Sequence, residues 1–386
     1  MKVGFIGLGT MGGNAAKNIL CAKFHTVVHD LRPEAATDHL AMGAIWADSP
    51  KAVIDQVDCV VSMVFGPPQC EAVLKGPNGL IHGDCAGKVW IDMTTSSPKF
   101  MRELVKDFVA KGGRPVDAPV TGSVDAAIRG DMPMFVGGVD TDIEAVRPVI
   151  EAMGELRKVG QYGNGYVAKL VNNQLWKVHA AAIGEAMVCA KIAGIDPAVW
   201  WDVMKGGAAD SFVLSHDVPS IFAGHYDPSF PIKLCLKDLA LIKELMDDTG
   251  VRSEMTDATH ARFREAGARY GMEAGEVETV FTYDGAGVAI DRLNIGNLAV
   301  FGFNPPDDIV RDVIGNLNRA GGYSDSKGIY SARKAVMNYA QERGIRGVGE
   351  RFTCHPAHIL VAEHEREITV ETFQVMLGEM SLTPGS

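Results

Sequence analysis

The lysine at position 169 lies in a long apolar stretch, GNGYVAKLVNNQLWKVHAAAIGEAMVCAKIAG, whose hydrophobic residues recur at helical spacing. Lys169 and Asn173 are four residues apart, so both project from the same face of such a helix. Burial beside Val167, Leu170 and Val171 disfavours the charged amine. It would lower the pKa of Lys169 toward the range useful for proton transfer. The alternative is a lysine whose amine reaches solvent past its apolar neighbours.

A second candidate site lies in the first twelve residues, where the pattern GLGTMG follows an apolar run and precedes a helical one. Glycines there permit a tight turn, a close approach of the backbone to a pyrophosphate, and close packing of helix on strand. The helix N-terminus offers unpaired N–H groups and a partial positive charge to phosphates. The pattern predicts a dinucleotide site, with a glycine turn that binds nothing as the alternative. The predicted contact residues are Gly7, Leu8, Gly9, Thr10, Met11 and Gly12.

The choice of dinucleotide depends on two residues after the second predicted strand. Asp30 ends that strand at the distance expected for a ribose-binding carboxylate. It can accept hydrogen bonds from the adenosine ribose and would repel a 2′-phosphate, which favours NAD over NADP. Arg32 is the counter-argument, because its guanidinium could pair with that phosphate. We expect both residues near the adenosine, and NAD as the cofactor.

The elements that must position these residues follow an alternating pattern in the first half of the chain. Helical patterns such as residues 11–21 and 98–111 separate short apolar runs, and continuous apolar runs indicate parallel strands covered on both faces. We predict a doubly wound α/β domain. Its predicted strands are residues 2–6, 26–29, 59–63, 89–92, 114–118 and 134–137.

The pattern changes near residue 160. Gly194 is placed to end the long helix, and Asp196 and Pro197 are typical of the start of the next one. We predict three regions: a Rossmann-type domain over 1–160, an all-α domain over 161–291, and an extension of mixed, mainly helical character over 292–386. So long an apolar helix indicates that a partner subunit covers part of it. We therefore expect a homodimer or homotetramer.

The extension contains helical patterns over residues 332–343 and 357–366. In CHPAHILVAEH, His355, His358 and His364 lie near Cys354, but His364 falls off a helical face shared by the other two. No second block of metal ligands is evident, so we predict no metal, with a zinc site as the less favoured alternative. We interpret the extension as an interface or lid segment that narrows the substrate pocket.

Composition excludes several functional classes. The net charge of −11 gives no basic field for nucleic acid or anionic lipid, so an anionic substrate needs a local cluster of donors. No stretch approaches the ~20 apolar residues of a membrane span. Seven scattered cysteines and the lack of a leader-like N-terminus indicate a cytoplasmic protein with reduced thiols.

Five blocks together resemble one family. GFIGLGTMG, DMTTSSP, DAPVTGSVDAAIRGDMPMFVGG, GNGYVAKLVNNQ and KDLALI are similar in order and spacing to the β-hydroxyacid dehydrogenases, the 3-hydroxyisobutyrate dehydrogenase group, over about residues 1–290. The resemblance implies a Rossmann domain, an all-helical second domain and an active site in the cleft between them. It also implies oxidation of the β-hydroxyl of a small acid, or the reverse reduction.

The resemblance assigns Lys169 as the catalytic lysine, with Asn173 orienting the oxygen of the substrate. Thr121, Gly122 and Ser123 occupy the family's substrate-binding turn, where consecutive N–H groups and hydroxyls suit a carboxylate. The family usually has serine, glycine, glycine there. This departure leaves the reaction type intact but puts the identity of the substrate in doubt.

Three further positions match cofactor contacts in the family at the ends of predicted strands: Met63, Val64 and Thr95. Lys237, in KDLALI, matches a lysine that approaches both cofactor and substrate, while we expect Asp238 to cap or orient its helix.

These observations predict an NAD-dependent oxidoreductase that acts on a small carboxylate- or sulfonate-bearing hydroxyacid or semialdehyde. The family of 6-phosphogluconate dehydrogenases fits less well, because it has histidine where this chain has Asn172, and imine reductases generally lack the lysine. A non-catalytic NAD-binding interaction protein on the same scaffold is the alternative function.

Overall fold

The computed structural model describes residues 1–222, 226, 229–277 and 279, and the backbone of three strands between residues 352 and 369. The chain divides into two compact units, Met1–Val218 with Tyr226–Ile290 and Pro219–His225 with Asp291–Ser386. Every candidate site residue lies in the first unit. The three-region division of the sequence stays a prediction.

A mixed sheet of eight strands forms the centre of the first unit. Its strands are β1 (Lys2–Ile6), β2 (His25–His29), β3 (Ile45–Trp46), β4 (Cys59–Ser62), β5 (Val89–Asp92), β6 (Arg114–Asp117), β7 (Met132–Gly137) and β8 (Gly154–Gly160). Their order is β3-β2-β1-β4-β5-β6-β7-β8. Neighbours among the first six run parallel, β7 is antiparallel to β6, and β8 is parallel to β7.

The order of the first six strands places a topological switch point between β1 and β4. In register, Phe5 lies opposite Val28 on one side and Val61 on the other. Successive strands are added on one side of β1 as far as β3 and on its other side from β4 onward. The loops after β1 and β4 therefore diverge and leave a crevice at the carboxyl ends of these strands. The crevice is where a dinucleotide binds in sheets of this order.

Helices connect the strands and continue beyond them. They are α1 (Thr10–Cys21), α2 (Thr37–Ala41), α3 (Pro50–Ile54), α4 (Pro67–Lys75), α5 (Pro98–Leu104), α6 (Lys106–Ala110), α7 (Ser123–Arg129), α8 (Asp140–Glu151), α9 (Asn164–Ile192), α10 (Pro197–Met204), α11 (Pro219–Phe222), α12 (Ile232–Thr249) and α13 (Glu254–Tyr270). Short 3-10 helices occur at Pro33–Ala36 and Leu80–His82, and a π-helical turn at Val213–Asp217. None of these described helices is long and apolar enough to cross a membrane.

Both faces of the sheet are buried, as continuous apolar strands predict. Phe5 packs in a cluster with α1, α7 and α8, whereas its neighbour Ile6 packs on the opposite face with α3, α4 and α5. A separate cluster joins α9, α12 and α13 through residues such as Leu170, Leu239 and Phe263. The predicted α/β domain followed by a helical domain is therefore confirmed.

The long helix ends as its sequence predicts. Gly194, with φ +97°, follows its last turn and donates its N–H to the Lys191 carbonyl at 3.1 Å. Asp196 then caps α10 by accepting the N–H groups of Ala198 and Val199 at 2.9 and 3.2 Å.

The sequence prediction missed two strands at opposite edges of the sheet. β3 has only two residues, and β8 carries alternating charges that face solvent, so neither shows a continuous apolar run. The single helix expected over 98–111 is instead two, because Val105 separates α5 from α6.

The extension contains an antiparallel sheet of β9 (Phe352–His355), β10 (His358–Val361) and β11 (Arg366–Thr369). The helix expected over 357–366 is therefore wrong. The run HILV is too short to separate helix from strand by periodicity, and its β-branched residues favour strand. His355 and His358 are register partners rather than neighbours on a helix.

Two other expectations for the extension lie outside the described residues: the helix over 332–343, and the side chains of Cys354, His355, His358 and His364 on which a zinc site would depend.

Candidate active site

The glycine loop between β1 and α1 has the backbone geometry that its pattern predicts. Gly7 has φ +95° and donates its N–H to the His29 carbonyl at 3.0 Å. A Cβ at Gly7 would collide with the carbonyl oxygen of Met63, and a Cβ at Gly12 with that of Gly7. These two glycines therefore let α1 pack close against β1 and β4.

The outer side of the same loop fits a phosphate. A Cβ at Gly9 would meet no described atom within 4 Å, so the surface beside it is open. Gly9 is the N-cap of α1 and supplies no side-chain cap, and the first turn, which includes Thr10 and Met11, has no acidic residue. The N–H groups and positive end of the helix dipole at this terminus therefore face an open surface, as pyrophosphate binding requires.

Asp30 binds the glycine loop directly. Its Oδ2 accepts the Leu8 N–H at 2.7 Å, and its Oδ1 accepts the Arg32 N–H at 2.9 Å. The Arg32 guanidinium lies 3.9 Å from the same Oδ1, and the side chain is 66% exposed. A pocket of about 340 Å³ beside them is lined by Gly9, Asn14 and Arg32, among others. This pocket is the candidate adenosine site.

The ends of β4 and β5 lie next to the glycine loop. Met63 donates its N–H to the Ile6 carbonyl at 2.9 Å, and Val64 donates to Thr94 Oγ1 at 3.2 Å. Both therefore belong to the crevice at the switch point. Thr95 follows Thr94 at the end of β5 and is half-buried.

Lys237 of α12 reaches these strand ends. Its Nζ donates to the Phe65 carbonyl at 3.0 Å and is 3.5 Å from the Thr95 carbonyl. It also lies 5.6 Å from the centroid of the Phe65 ring. Phe65, which the sequence did not single out, is thus the nearest neighbour of Lys237 at the crevice.

Lys169 lies within α9 and its side chain is almost fully buried. Its residue is 9% exposed, and its amine makes no hydrogen bond or ion pair within the part of the chain that the structure describes. Burial lowers the pKa of Lys169 to about 8; the charges of Lys177 and Lys237 act in the same direction and that of Asp238 opposes them. The amine is therefore poised to exchange a proton near neutral pH.

Asn173 and Asp238 connect α9 to α12 one helical turn beyond Lys169. Asn173 Nδ2 donates to Asp238 Oδ2 at 2.7 Å, and Asn172 Nδ2 donates to Asn173 Oδ1 at 3.1 Å. Lys237 Nζ lies 3.0 Å from the other oxygen, Asp238 Oδ1, as an ion pair without hydrogen-bond geometry. The sequence led us to expect that Asp238 caps or orients α12. It lies inside the helix rather than at its end, so the capping alternative is wrong and the orienting role stays a prediction.

The predicted substrate turn lies beside α9. Asn172 Nδ2 is 3.4 Å from Thr121 Oγ1, and the Thr121 N–H is already bound to the Pro133 carbonyl at 3.0 Å. Gly122 has φ +105° and Ser123 has φ +69°, a left-handed conformation that is strained for serine. The N–H groups of Gly122 and Ser123 therefore remain as the backbone donors of this turn.

Two buried carboxylates hold the N-terminus of α9. Asp117 accepts the N–H groups of Gly163 and Tyr166 at 2.9 and 3.0 Å, and Tyr166 donates its hydroxyl to Asp92 at 2.8 Å. Burial raises the pKa of Asp117 to about 7, against the effect of these N–H groups. No local sequence pattern indicates this contact, which spans 46 residues. Lys169 follows Tyr166 by three residues, so the contact fixes the start of the helix that carries it.

Comparisons with known proteins match this architecture. Residues 2–164 match the family model described as the NAD binding domain of 6-phosphogluconate dehydrogenase. Residues 163–283 match a second family model, described as NAD-binding of NADP-dependent 3-hydroxyisobutyrate dehydrogenase. The first thus covers the sheet and the second α9 to α13.

Individual relatives agree over the same region. The 2-hydroxy-3-oxopropionate reductase of Escherichia coli is 34% identical over 62% of this chain and 82% of its own length. The L-threonate dehydrogenase of Cupriavidus necator is 32% identical over 69% of this chain and 90% of its own length. The crystal structure of 3-hydroxyisobutyrate dehydrogenase from Salmonella typhimurium is 27% identical, with a TM-score of 0.67, and covers 73% of this chain and 99% of that one. The chain therefore belongs to the β-hydroxyacid dehydrogenase family and is an NAD(P)-dependent oxidoreductase.

Proposed function

We propose that the protein transfers a hydride between NAD and the β-hydroxyl carbon, or the corresponding semialdehyde carbon, of a small carboxylate- or sulfonate-bearing substrate. In this proposal Lys169 accepts or donates the proton. The observation that carries it is the buried Lys169 amine, which has a pKa of about 8 and no ion-pair partner among the described residues. A buried amine without an ion-pair partner is costly to the fold, and a pKa of about 8 suits proton transfer near neutral pH.

The proton is transferred by the residues of α9. In oxidation, the neutral Lys169 amine accepts the proton of the substrate hydroxyl and becomes an ammonium. In reduction, the ammonium returns a proton to the carbonyl oxygen. Asn173 lies one turn further along the same face, with its amide held by Asp238, and would orient the oxygen of the substrate. The bound nicotinamide supplies the hydride chemistry.

The anionic end of the substrate would bind at the turn after β6. Gly122 and Ser123 have backbone donors, and the hydroxyls of Thr121 and Ser123 add two more. The relatives compared above are named for L-threonate, 2-hydroxy-3-oxopropionate and 3-hydroxyisobutyrate, all small acids. These names support the proposal that this chain also acts on a small hydroxyacid or its semialdehyde.

NAD is the cofactor that the carboxylate of Asp30 favours. Asp30 presents a half-buried carboxylate at the end of β2, beside the glycine loop. A carboxylate at this place accepts ribose hydroxyls and repels a 2′-phosphate. The exposed Arg32 guanidinium is the group that NADP would need, and it makes NADP the second choice.

We also propose a homodimer or homotetramer in the cytoplasm. The middle of α9 exposes Val171 and Leu175 by 41% and 53%, which a second subunit would cover. Light scattering of the purified protein tests this assembly, and a monomer would contradict it.

A substrate screen tests the proposed reaction. Small β-hydroxyacids, hydroxysulfonates and semialdehydes are supplied with NAD or its reduced form, and the absorbance of the reduced cofactor is followed. Lys169→Ala should lower the rate with the accepted substrate by about a hundredfold or more. Lys233→Ala is the matched control, because Lys233 is an exposed lysine of α12 paired with Glu273. A loss of only a few-fold in Lys169→Ala would assign proton transfer to another group.

A further inference from the structure

The buried face of α9 that carries Lys169 and Asn173 contains a second lysine. Lys177 follows Asn173 by four residues and Lys169 by eight, so the three side chains share one face of the helix. Lys177 is 0% exposed, and its Nζ donates to Glu276 Oε2 at 2.7 Å. The side chain of Glu276 is itself 3% exposed. We call the Lys177–Glu276 contact the buried pair.

The surroundings of the buried pair are largely apolar. Lys177 Nζ lies 2.9 Å from the ring centroid of Trp176 and 4.1 Å from that of Phe230. Cys235 of α12 donates its thiol to Glu276 Oε2 at 3.6 Å. Burial raises the pKa of Glu276 to about 7, and the charge of Lys177 opposes this rise. Apolar residues of similar volume often replace such a pair without loss of stability, so packing alone does not explain it.

The position of the buried pair relates it to Lys169. Eight residues of helix separate the Cα atoms of Lys177 and Lys169 by about 12 Å along the axis. The other charges that face Lys169 are Asp238 and Lys237, both of α12, and Asp217 is the further charge near Glu276. Within α9, Lys177 is therefore the fixed charge that acts on the amine of Lys169.

We propose that Lys177 and Glu276 are positioning residues for proton transfer: Glu276 holds a positive charge on the buried face of α9, and this charge favours the neutral amine of Lys169. The inference rests on the proposed role of Lys169. Two unit charges about 12 Å apart, at the effective dielectric of a protein, change a pKa by about one unit. The opposite charge of Glu276, 2.7 Å from that of Lys177, offsets much of this effect. Lys177 also contributes to the lowered pKa of Lys169, after burial.

Nuclear magnetic resonance of selectively labelled lysine side chains tests the proposal on the full chain, without substrate or turnover. The Lys169 signal is assigned with Lys169→Arg and the Lys177 signal with Lys177→Arg. The double variant Lys177→Met/Glu276→Gln removes the buried pair without leaving an isolated charge. Because the variant removes both charges of the pair, we expect the titration midpoint of Lys169 to rise by about 0.2 to 0.5 pH unit. At pH 7 the fraction of neutral amine would then fall by about 1.5- to threefold.

The matched control is Lys233→Met/Glu273→Gln, which removes an exposed lysine–glutamate pair, 2.6 Å apart, from the same helical region. It should leave the Lys169 midpoint unchanged, because solvent screens that pair. An unchanged midpoint in the folded Lys177→Met/Glu276→Gln variant would overturn the proposal.

If the Lys177→Met/Glu276→Gln variant does not fold, the titration of both lysine signals in the wild-type protein tests the proposal. Lys177 must keep its charge through the whole range in which Lys169 loses its proton, and the proposal is wrong if Lys177 loses its proton first. These readouts are independent of activity. If the midpoint of Lys169 rises as expected but Lys169→Ala retains full activity, the proposed function fails and the electrostatic coupling stands.

Discussion

Asn173 of α9 donates its side-chain amide to Asp238 of α12 at 2.7 Å, and both side chains are buried. The second oxygen of Asp238 lies 3.0 Å from Lys237, which in turn binds the carbonyl of Phe65 beyond β4. One carboxylate thus connects the helix of Lys169 to the crevice of the sheet. A buried carboxylate needs such partners, since an unpaired one costs several kcal/mol.

The pH dependence of the reaction should follow the amine of Lys169, whose pKa is about 8. Oxidation requires the neutral amine, so kcat/KM should rise about tenfold per pH unit below pH 8 and level off above it. Reduction requires the ammonium, so its kcat/KM should be level below pH 8 and fall above it. Profiles in both directions between about pH 6 and pH 10 measure this. If kcat/KM for oxidation and kcat/KM for reduction do not change in opposite directions around pH 8, the role of Lys169 is contradicted.

Two glycines of the dinucleotide loop should respond differently to alanine. Gly9→Ala places its methyl group in open space, so the fold should keep its stability while the affinity for NAD falls at least tenfold. Gly12→Ala collides with the Gly7 carbonyl, so it should lower the free energy of unfolding by about 1–3 kcal/mol as well. Urea unfolding and a fluorescence titration with the reduced cofactor measure the two effects. Equal destabilisation by both variants would show that Gly9 is not the open side of the site.

Cofactor choice should depend on Asp30. Asp30→Ser removes the carboxylate, so the ratio of kcat/KM for NAD to that for NADP should fall by about tenfold or more. Arg32→Ala is the complementary variant, and it should lower the use of NADP while changing that of NAD less. If wild type prefers NADP, the role proposed for Asp30 is wrong.

Much of this architecture could be predicted from local patterns. The runs of β1, β4 and β5 are continuous and apolar because the strands are buried on both faces, and the loop GLGTMG has glycines where a Cβ would collide. The apolar residues next to Lys169 in the sequence likewise indicated that it is buried, before its contacts with other helices were known. In each case the information lies within a few consecutive residues.

Contacts between distant residues could not be predicted in this way. Asp238 meets Asn173 across 65 residues, and Lys177 meets Glu276 across 99, so no local spacing relates them. The packing of α9 against α12 and the segment after α13 creates both contacts. The strand β8 was missed for a different reason, because its polar residues face solvent at the edge of the sheet.

Replacing Ser123 by glycine should stabilise the fold but weaken substrate binding. Its φ of +69° is strained for serine, so Ser123→Gly should raise the free energy of unfolding by up to about 1 kcal/mol. The same change removes a hydroxyl from the substrate turn, so KM should rise severalfold. Ser123→Ala is the control: it loses the hydroxyl but keeps the strain, so KM should rise without a gain in stability. If KM is unchanged in both variants, the hydroxyl does not contact the substrate.

Asp117 should affect catalysis through the position of α9. Its two oxygens accept the N–H groups of Gly163 and Tyr166, so Asp117→Asn turns an amide donor toward one of these groups. We expect a loss of about 1–3 kcal/mol in the free energy of unfolding, measured with urea. We also expect a lower kcat with little change in KM, because Lys169 moves with the first turns of the helix.

The surface variant Asp131→Asn is the control for this prediction. Asp131 pairs with Arg129 at an exposed site, where a salt bridge contributes about 0–1 kcal/mol, so stability and kcat should both stay close to wild type. A stability loss in Asp117→Asn with unchanged kcat would mean that the carboxylate supports the fold without placing Lys169. A fall in kcat beyond that explained by unfolded protein would instead tie the N-terminus of α9 to proton transfer.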